Sequence, residues 1–326
     1  MKSIRIASLF CGCGGTDVGL LGGFDFLGKH YPKNKCRIVF ANDVDSKITS
    51  IYDQNFTTKA TVKDIHELNS ASVPDADLIV GGFPCQAFSV IAQNPKRLGI
   101  KSPIGTLFFE MCRIIKDKKP LVFMAENVKG ILSANKSEAF PLIIKEFESC
   151  GYAVSWSVLN ASYLGIPQKR ERVIIVGVRK DLNLTFSFEK ISIIRKKIVP
   201  IKSVLENNIS EKYFFSEKAV NGMLKTKERM NKGRIQNLNE PSNTVTAHLC
   251  KVSLNSTDPV LLIDDRYRRY TPREVARIQS FPDSFILTGP ESIQYKALGN
   301  AVAPIMAWTV FREIYRQVFS KIKECE

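Results

Sequence analysis

The sequence has few of the residues that hold small, secreted or metal-dependent domains together. Among its 326 residues there are only three histidines, and none of the eight cysteines forms a Cys-x-x-Cys pair. Such a sequence predicts neither a disulfide framework nor a structural zinc site. We therefore expect no bound metal, and a reducing compartment such as the cytoplasm.

The sequence also lacks long apolar runs and has fewer acidic than basic residues. No apolar run is long enough to cross a bilayer, and the first residues lack the apolar core and cleavage site of a secretory signal. The 47 lysines and arginines outnumber the 32 aspartates and glutamates, which gives a formal net charge of +15. An excess of this size predicts a polyanionic partner, with nucleic acid ahead of a membrane surface.

The length is about right for two domains. Hydrophobic periodicity weakens over residues 181–265, where asparagine, serine and lysine become more frequent. We therefore predict a separate small domain of irregular, partly β structure in this segment. The remainder alternates short apolar runs with helical patterns, which predicts an α/β fold.

The first predicted strand, residues 4–10, leads into a glycine-rich turn at residues 11–15 and then into a helix. In α/β folds this arrangement brings backbone N–H groups up to a ligand. Asp17 occupies the place of the third glycine of Gly-x-Gly-x-x-Gly, which counts against a nicotinamide dinucleotide. The next two predicted strands end near Asp43 and Asp64. A carboxylate at such a strand end can accept hydrogen bonds from ribose hydroxyls, although either aspartate alone could instead cap a helix or lie in a solvated turn. These three strand ends predict a site for an adenosine-containing cofactor.

A second candidate site follows the short apolar run at residues 77–80. Two glycines and a proline end that run, so Cys85 is predicted on a tight turn at the carboxyl end of a strand. Open α/β sheets bind their ligands at this edge. A cysteine held there near positive charge can act as a nucleophile, although a buried structural cysteine is the more common use.

Further polar groups lie next to other predicted strands. Glu126 ends an apolar run, where a carboxylate is costly to bury unless it has a role or a partner; it could act as an acid or cap the next helix. Gln168, Arg170 and Arg172 alternate along the chain, which places them on one face if the segment is extended. They could aim donors at an oxygen or a phosphate, or form surface salt bridges with Glu171.

The order and spacing of these pieces resemble the cytosine-C5 DNA methyltransferase family, as found in bacterial type II restriction-modification systems. The resemblance covers nearly the whole chain except residues 181–265. Its carriers are Phe10-Cys11-Gly12-Cys13-Gly14-Gly15, Pro84-Cys85-Gln86, Glu126-Asn127-Val128, Gln168-Lys169-Arg170-Glu171-Arg172, Thr271-Pro272-Arg273-Glu274 with Phe281-Pro282-Asp283, and Gly299-Asn300-Ala301-Val302.

The family resemblance implies a Rossmann-like, S-adenosylmethionine-dependent methyltransferase fold with a mostly parallel, doubly wound sheet. Residues 1–180 would form the catalytic domain, to which residues 266–326 would return. The segment 181–265 would be a smaller, irregular, β-containing target-recognition domain.

The resemblance also implies the reaction. Cys85 would add to C6 of a cytosine flipped out of the duplex, and C5 would then accept the methyl group of S-adenosyl-L-methionine. Glu126 would hold N3 and the amino group of the base. Arg172, with Arg170 as a second candidate, would bind its O2 side and balance the developing charge. The expected substrate is double-stranded DNA with a short specific target. We also expect a monomer, with a cognate restriction endonuclease as a candidate partner.

The residues implied for binding fall into two groups. Those around S-adenosyl-L-methionine are Phe10, Gly12, Cys13, Gly15, Asp43, Val44, Asp64, Ile65, Pro84, Leu107, Asn300, Ala301 and Val302. Those implied for DNA are Gln86, Ser89, Lys96, Arg97, Gln168 and Thr244. By family match, Phe10 would stack on the adenine, Asp43 would take the ribose hydroxyls and Asp64 the adenine amino group. Val44 departs from the family pattern, because relatives often carry a larger side chain there.

Three alternatives stay open at this point. A tRNA cytosine methyltransferase of the same fold shares the Pro-Cys and Glu-Asn-Val pieces, although the short Cys-Phe-Thr signature of that branch is absent from this sequence. A catalytically silent nucleic-acid-binding module would not need Cys85, Glu126 and Arg172 together. A nucleotide-linked oxidoreductase is disfavoured by the glycine spacing.

Overall fold

The computed structural model describes residues 3–84, 107–225, 234–250 and 258–322. In these ranges the strands are β1 (Ile4–Leu9), β2 (Phe24–Phe26), β3 (Lys29–Tyr31), β4 (Cys36–Asp43), β5 (Thr61–Val62), β6 (Leu78–Gly81), β7 (Val122–Val128), β8 (Tyr152–Asn160), β9 (Gln168–Lys169), β10 (Glu171–Arg179), β11 (Ser242–Asn243), β12 (Leu261–Ile263) and β13 (Arg266–Arg268). The helices are α1 (Gly15–Leu21), α2 (Ser46–Asn55), α3 (Leu107–Lys118), α4 (Ala139–Ser149), α5 (Glu189–Ser192), α6 (Glu217–Lys225), α7 (Pro272–Ile278), α8 (Glu291–Asn300), α9 (Pro304–Ile314) and α10 (Ser320–Ile322). A π-helical turn at Tyr315–Phe319 joins α9 to α10.

A seven-stranded sheet organises the chain, in the order β5-β4-β1-β6-β7-β10-β8. The first five strands of this order are parallel, and β10 runs antiparallel between β7 and β8. The predicted mostly parallel α/β sheet is therefore confirmed. Because parallel strands end at the same edge of a sheet, the turns after β1, β4, β5, β6 and β7 meet along one edge. We call it the carboxyl edge.

Both faces of the sheet are covered, which explains why its central strands read as continuous apolar runs. Successive side chains of a strand point to opposite faces. In β1, Ile4 and Ile6 belong to a core cluster that includes residues of α9, whereas Ala7 and Leu9 belong to a second cluster that includes residues of α3 and α4. The two apolar runs whose bounds were predicted, residues 4–10 and 77–80, form β1 and β6 within one residue of those bounds.

The start of α7 follows from its capping residues, which the Thr271-Pro272-Arg273-Glu274 motif supplies. The hydroxyl of Thr271 accepts from the N–H group of Glu274 (3.1 Å), and the Glu274 carboxylate accepts from the N–H group of Thr271 (2.9 Å). Pro272 stands at the first helical position, where its missing N–H group costs nothing. Helix α9 also begins at a proline, Pro304. None of the helices in the described ranges is long and apolar enough to span a bilayer.

The segment predicted as a target-recognition domain contains short helices and short strands. Its first part packs on the main core, because Phe186, Ile191 and Val204 belong to the same cluster as residues of α9. At its other end, β12 pairs with β13, and Ile263 lies opposite Arg266. The expected boundary at residue 265 therefore falls inside a β-hairpin. The division into two domains stays a prediction.

A glycine in α8 permits close contact between α8 and the predicted recognition segment. A Cβ atom on Gly299 would lie 2.3 Å from the carbonyl carbon of Thr246 and 2.4 Å from the backbone nitrogen of Ala247. Backbone atoms cannot move away as a flexible side chain can. We therefore expect Gly299→Ala to lower the free energy of unfolding by about 1–3 kcal/mol, measured as a fall in Tm. Gly130→Ala is the matched control, since its Cβ atom would lie 3.9 Å from the nearest atom. Equal Tm values for the two variants would contradict the packing.

Candidate active site

The glycine-rich turn after β1 leaves backbone N–H groups at the carboxyl edge. Phe10, Gly12 and Gly14 all have positive φ angles, of 53°, 54° and 92°, which reverse the chain within a few residues. The N–H group of Gly12 donates to Oδ2 of Asp43 (2.9 Å), and the N–H group of Asp45 donates to Oδ1 (3.0 Å). Asp43 therefore fixes the turn after β1 to the turn after β4. Each carboxylate oxygen has a second lone pair that can accept a hydrogen bond from a ligand.

Space is open above this turn and beside it. A Cβ atom on Gly12 would meet no atom within 4 Å, so a ligand can approach its backbone. Val44 is 66% exposed, which is unusual for an apolar side chain beside a buried strand. Phe10 is partly buried against the core cluster that contains Ile65. These residues follow the neighbouring strands β1, β4 and β5, so they lie along the same part of the carboxyl edge.

Asp64 caps the short helical turn at Ile65–Glu67. Its carboxylate accepts from the N–H group of His66 (3.0 Å) and contacts the ring nitrogen Nδ1 of the same residue (2.6 Å). The backbone hydrogen bond is the main reason why the pKa of Asp64 lies below its usual value. The carboxylate is therefore ionised and acceptor-only at neutral pH.

The C-terminal part of the chain reaches the same turn. A Cβ atom on Gly15 would lie 2.3 Å from the carbonyl oxygen of Val302 and 3.2 Å from Cβ of Ala301. The absence of a side chain at Gly15 therefore lets α1 pack directly on the turn that follows α8. Asn300 is exposed at the end of α8. Lys296 of α8 also forms an ion pair with Asp45 (2.7 Å).

Cys13 has a different role from that expected of a ligand-facing side chain. Its thiol is buried and lies 3.6 Å from the carbonyl oxygen of Ala297, and burial raises its pKa to about 12. Only the backbone of Cys13 remains for a ligand. On the other side of the carboxyl edge, Pro84 is exposed at the end of a described range and Leu107 is half-buried at the start of α3.

A buried ion pair joins the ends of β7 and β10. Glu126 and Arg172 approach to 2.9 Å, and their side chains are only 14% and 11% exposed. In the β7–β10 register, Arg172 lies opposite Val128 and Glu126 opposite Ile174, so the two charged side chains are diagonal neighbours on one face. Burial lowers the pKa of Arg172, and the carboxylate of Glu126 opposes that effect. The pair thus holds a carboxylate and a guanidinium together at the carboxyl edge.

The end of β6 lies directly against this pair. A Cβ atom on Gly82 would lie 3.2 Å from Oε2 of Glu126. The buried side chain of Asn127 donates to the carbonyl oxygen of Phe83 (2.9 Å). Asn127 is therefore a positioning residue that the sequence analysis missed, although it is part of the Glu-Asn-Val motif. Five of the predicted residues lie outside the described residues: Cys85, Gln86, Ser89, Lys96 and Arg97.

Arg170 and Gln168 do not occupy the places that the alternating pattern suggested. The fully buried guanidinium of Arg170 donates to the carbonyl oxygens of Val245 (3.2 Å), Gly299 (3.1 Å) and Ala301 (3.0 Å). Gln168 is also fully buried; it accepts from the N–H group of Val245 and donates to Oε1 of Gln279 (2.9 Å). The structure thus contradicts a DNA contact for Gln168 and a fork of donors aimed at a ligand. Both side chains instead hold together segments that are distant in sequence.

This arrangement predicts different effects for two neighbouring arginines. In Arg170→Lys, one ammonium group replaces a guanidinium that reaches three carbonyl groups, so we expect the free energy of unfolding to fall by about 3 kcal/mol. Arg172→Lys should instead cause a large loss of kcat with only a small change in Tm. Thermal unfolding and single-turnover methylation of both variants check this prediction. An unchanged Tm with a large loss of kcat in Arg170→Lys would indicate that Arg170 acts in catalysis and not in holding the structure together.

Thr244 remains a candidate for DNA contact. Its hydroxyl donates to the carbonyl oxygen of Lys169 (2.8 Å), and its side chain is half-buried. The ammonium group of Lys169 is exposed and paired with Glu240 (2.6 Å). Within the described ranges, no group of three or more His, Cys, Asp or Glu residues could hold a metal ion.

A carboxyl edge of this kind is typical of α/β enzymes that bind a nucleoside-containing cofactor. A model of the family described as C-5 cytosine-specific DNA methylase matches residues 4–316. The type II methyltransferase M.FnuDI of Fusobacterium nucleatum is 35% identical over 349 aligned positions, gaps included. The alignment covers 98% of this chain and 96% of that protein. The type II methyltransferase M1.ScrFI of Lactococcus lactis subsp. cremoris is 35% identical over 310 residues, or 92% of this chain and 75% of that protein.

Solved structures show the same fold at lower sequence identity. A methyltransferase of Entamoeba histolytica, EhMeth, has a TM-score of 0.77 at 19% identity. The match covers 97% of this chain and 99% of that chain. The Dnmt2 methyltransferase of S. pombe has a TM-score of 0.74 at 20% identity, with 98% of this chain and 100% of that chain covered. The chain belongs to the C-5 cytosine-specific DNA methylase family, and its reaction is methyl transfer to C5 of cytosine in DNA.

Proposed function

We propose that the enzyme methylates a flipped cytosine within a short DNA target, with Cys85 as nucleophile and S-adenosyl-L-methionine as methyl donor. The observation that carries the proposal is the buried Glu126–Arg172 pair, which lies against the end of β6. Cys85 follows Pro84 directly in the chain, and Asn127 holds the carbonyl group of Phe83 just before it. A nucleophile and the charges that would bind the base thus come from adjacent strand ends.

The described residues fit the proposed cofactor. The open space above Gly12 suits close approach of the methionine part, and the free lone pairs of Asp43 suit the ribose hydroxyls. Exposed Val44 and partly buried Phe10 offer apolar surface for the adenine, and Asp64 offers an acceptor for its amino group. Leu107 and the segment 300–302 would close the pocket. When bound, the cofactor supplies an electrophilic methyl group.

Covalent addition explains why an unreactive carbon can accept that group. The thiolate of Cys85 forms a bond to C6, and the electron pair of the C5–C6 double bond becomes available at C5. Glu126 holds N3 and the amino group and stabilises the adduct by protonation at N3, while Arg172 binds O2 and balances the developing negative charge. C5 would then take the methyl group, and the bond between the methyl carbon and the donor sulfur would break with its electron pair left on the sulfur. Loss of the C5 proton to water would restore the double bond and expel the sulfur of Cys85, while the N3 proton would return to Glu126.

DNA binding is proposed for a surface that includes the exposed part of Thr244 and, outside the described residues, Gln86, Ser89, Lys96 and Arg97. The net charge of +15 supports attraction to the phosphate backbone. The segment 181–265 is proposed to read the target, and a monomer that acts beside a cognate endonuclease would suit the restriction-modification setting of the relatives. Base flipping is required because C5 and C6 are unreachable inside a duplex.

Transfer of a labelled methyl group tests this function. The enzyme is incubated with labelled S-adenosyl-L-methionine and either duplex DNA or tRNA. We expect the label in DNA, at 5-methylcytosine. Digestion of the methylated plasmid with a panel of restriction enzymes then identifies the target. Label in tRNA alone would overturn the proposed substrate.

A further inference from the structure

The structure contains a buried carboxylate that the proposed chemistry does not use. Asp17 is 0% exposed. Its Oδ1 atom accepts from the hydroxyl of Ser8 (2.8 Å), and its Oδ2 atom accepts from the hydroxyl of Tyr52 (2.7 Å). Ser8 and Asp17 flank residues 9–16, so their hydrogen bond closes the glycine-rich turn at its base. The carboxylate therefore lies directly beneath the part of the chain that would face the cofactor.

The charge of Asp17 has no counter-ion in the described part of the chain. Its two hydrogen-bond donors are neutral hydroxyls, and no lysine, arginine or histidine of the described ranges acts on it. Burial raises the pKa of Asp17 to about 6, and the hydrogen bonds from Tyr52 and Ser8 oppose that rise. Above this pH the turn therefore rests on an unpaired buried anion. Such a charge is costly unless something else compensates it.

The other titratable groups that face Asp17 cannot compensate its charge. They are Cys11 and Cys13 in the turn, Tyr52 on α2 and Cys36 on β4. Burial raises the pKa of the Cys11 thiol well above its usual value, and the charges of Asp17 and Asp43 add to that effect. The field of the carboxylate thus reaches into the turn. Lys33 acts on the Cys36 thiol, but it does not act on Asp17 itself. A cation bound above the turn would be the missing counter-charge.

We propose that Asp17 is a specificity-determining residue that favours the positively charged methyl donor over its neutral product. The inference rests on the proposed function. S-adenosyl-L-methionine carries a positive charge on sulfur, whereas S-adenosylhomocysteine, which remains after methyl transfer, has a neutral thioether at the same atom. The two molecules differ only in the methyl group on this sulfur and in the charge that it brings, so a fixed negative charge near the sulfur distinguishes them. The enzyme then binds donor and releases product without any change in its contacts.

Calorimetric titration of the full chain with each molecule at pH 8 tests the proposal. We expect Asp17→Asn to weaken binding of S-adenosyl-L-methionine about tenfold, the order expected for two charges that interact through a protein interior rather than through water. Binding of S-adenosylhomocysteine should change by less than about twofold. Tyr52→Phe and Ser8→Ala keep the charge and remove one hydrogen bond each, so they should affect both molecules alike. Equal weakening of both molecules by Asp17→Asn would show that Asp17 only shapes the turn, and would overturn the proposal.

A second measurement uses the wild-type enzyme and does not depend on the folding of a variant. Protonation of Asp17 below a pH of about 6 removes the charge. The affinity for S-adenosyl-L-methionine, divided by the affinity for S-adenosylhomocysteine, should therefore fall as the pH is lowered from 8 to 5. Titrating groups that affect both molecules equally cancel in this ratio. A ratio that stays constant would contradict the role of Asp17 and leave the proposed function standing. If neither molecule binds at any pH, the proposed function itself fails.

Discussion

Cys85→Ser is expected to abolish methyl transfer to DNA, with a loss of kcat of at least about a thousandfold. A serine hydroxyl is a far weaker nucleophile than a thiolate at neutral pH, so addition to C6 becomes the step that fails. Binding of S-adenosyl-L-methionine should stay within about twofold of the wild-type value, because the substitution replaces a single atom and leaves the proposed cofactor pocket unchanged. Methylation assays and calorimetric titration measure the two effects separately.

A suitable control for this variant is another cysteine outside the proposed chemistry. Cys150 is half-buried at the end of α4. Cys150→Ser should therefore retain methyl transfer. Near-normal turnover in Cys85→Ser, or an equal loss of kcat in both variants, would contradict the role of Cys85 as the nucleophile.

Glu126→Gln should lower kcat by about a hundredfold to a thousandfold. The amide has nearly the same shape and can still accept from Arg172, but it cannot stabilise the adduct by proton transfer. The free energy of unfolding should also fall, because Arg172 would keep a buried charge without its carboxylate partner. Methylation rates and Tm are measured on the same preparation, so the two effects can be compared.

Glu171→Gln is the matched control for that variant. Glu171 is a neighbouring carboxylate on β10 that pairs with Lys129 at 2.9 Å, and its side chain is 42% exposed. An exposed pair of this kind contributes at most about 1 kcal/mol, so Tm should change little and kcat should stay within about twofold. If Glu126→Gln behaves like Glu171→Gln, the carboxylate at the end of β7 has no part in the chemistry.

The sheet could be predicted because its strands are buried on both faces and read as apolar runs. Local signals also sufficed for the start of α7, where the capping residues lie within four positions of each other. The β12–β13 hairpin was missed, although Asp264 and Asp265 both have positive φ angles and an Asp-Asp pair is a turn signal. The domain boundary was therefore expected in the middle of that hairpin.

The candidate site was predictable where the residues follow strands of one parallel sheet. Glu126 and Arg172 meet because β7 and β10 pair in register. The fate of Arg170 could not be predicted, since its partners Val245 and Gly299 lie 75 and 129 positions away in the chain. Asp17 was recognised only as a residue that breaks a glycine pattern. Its partner Tyr52 comes from another helix, and burial of the pair depends on tertiary packing.

Trapping on a modified substrate tests the central claim most directly. The enzyme is incubated with S-adenosyl-L-methionine and target DNA that carries 5-fluorocytosine in place of the methylated cytosine. After methyl transfer, fluorine cannot leave C5 as a proton does, so we expect a stable complex that survives denaturation and maps to Cys85. Cys85→Ser should form no such complex. The absence of an adduct with the wild-type enzyme, while ordinary DNA is still methylated, would contradict covalent catalysis.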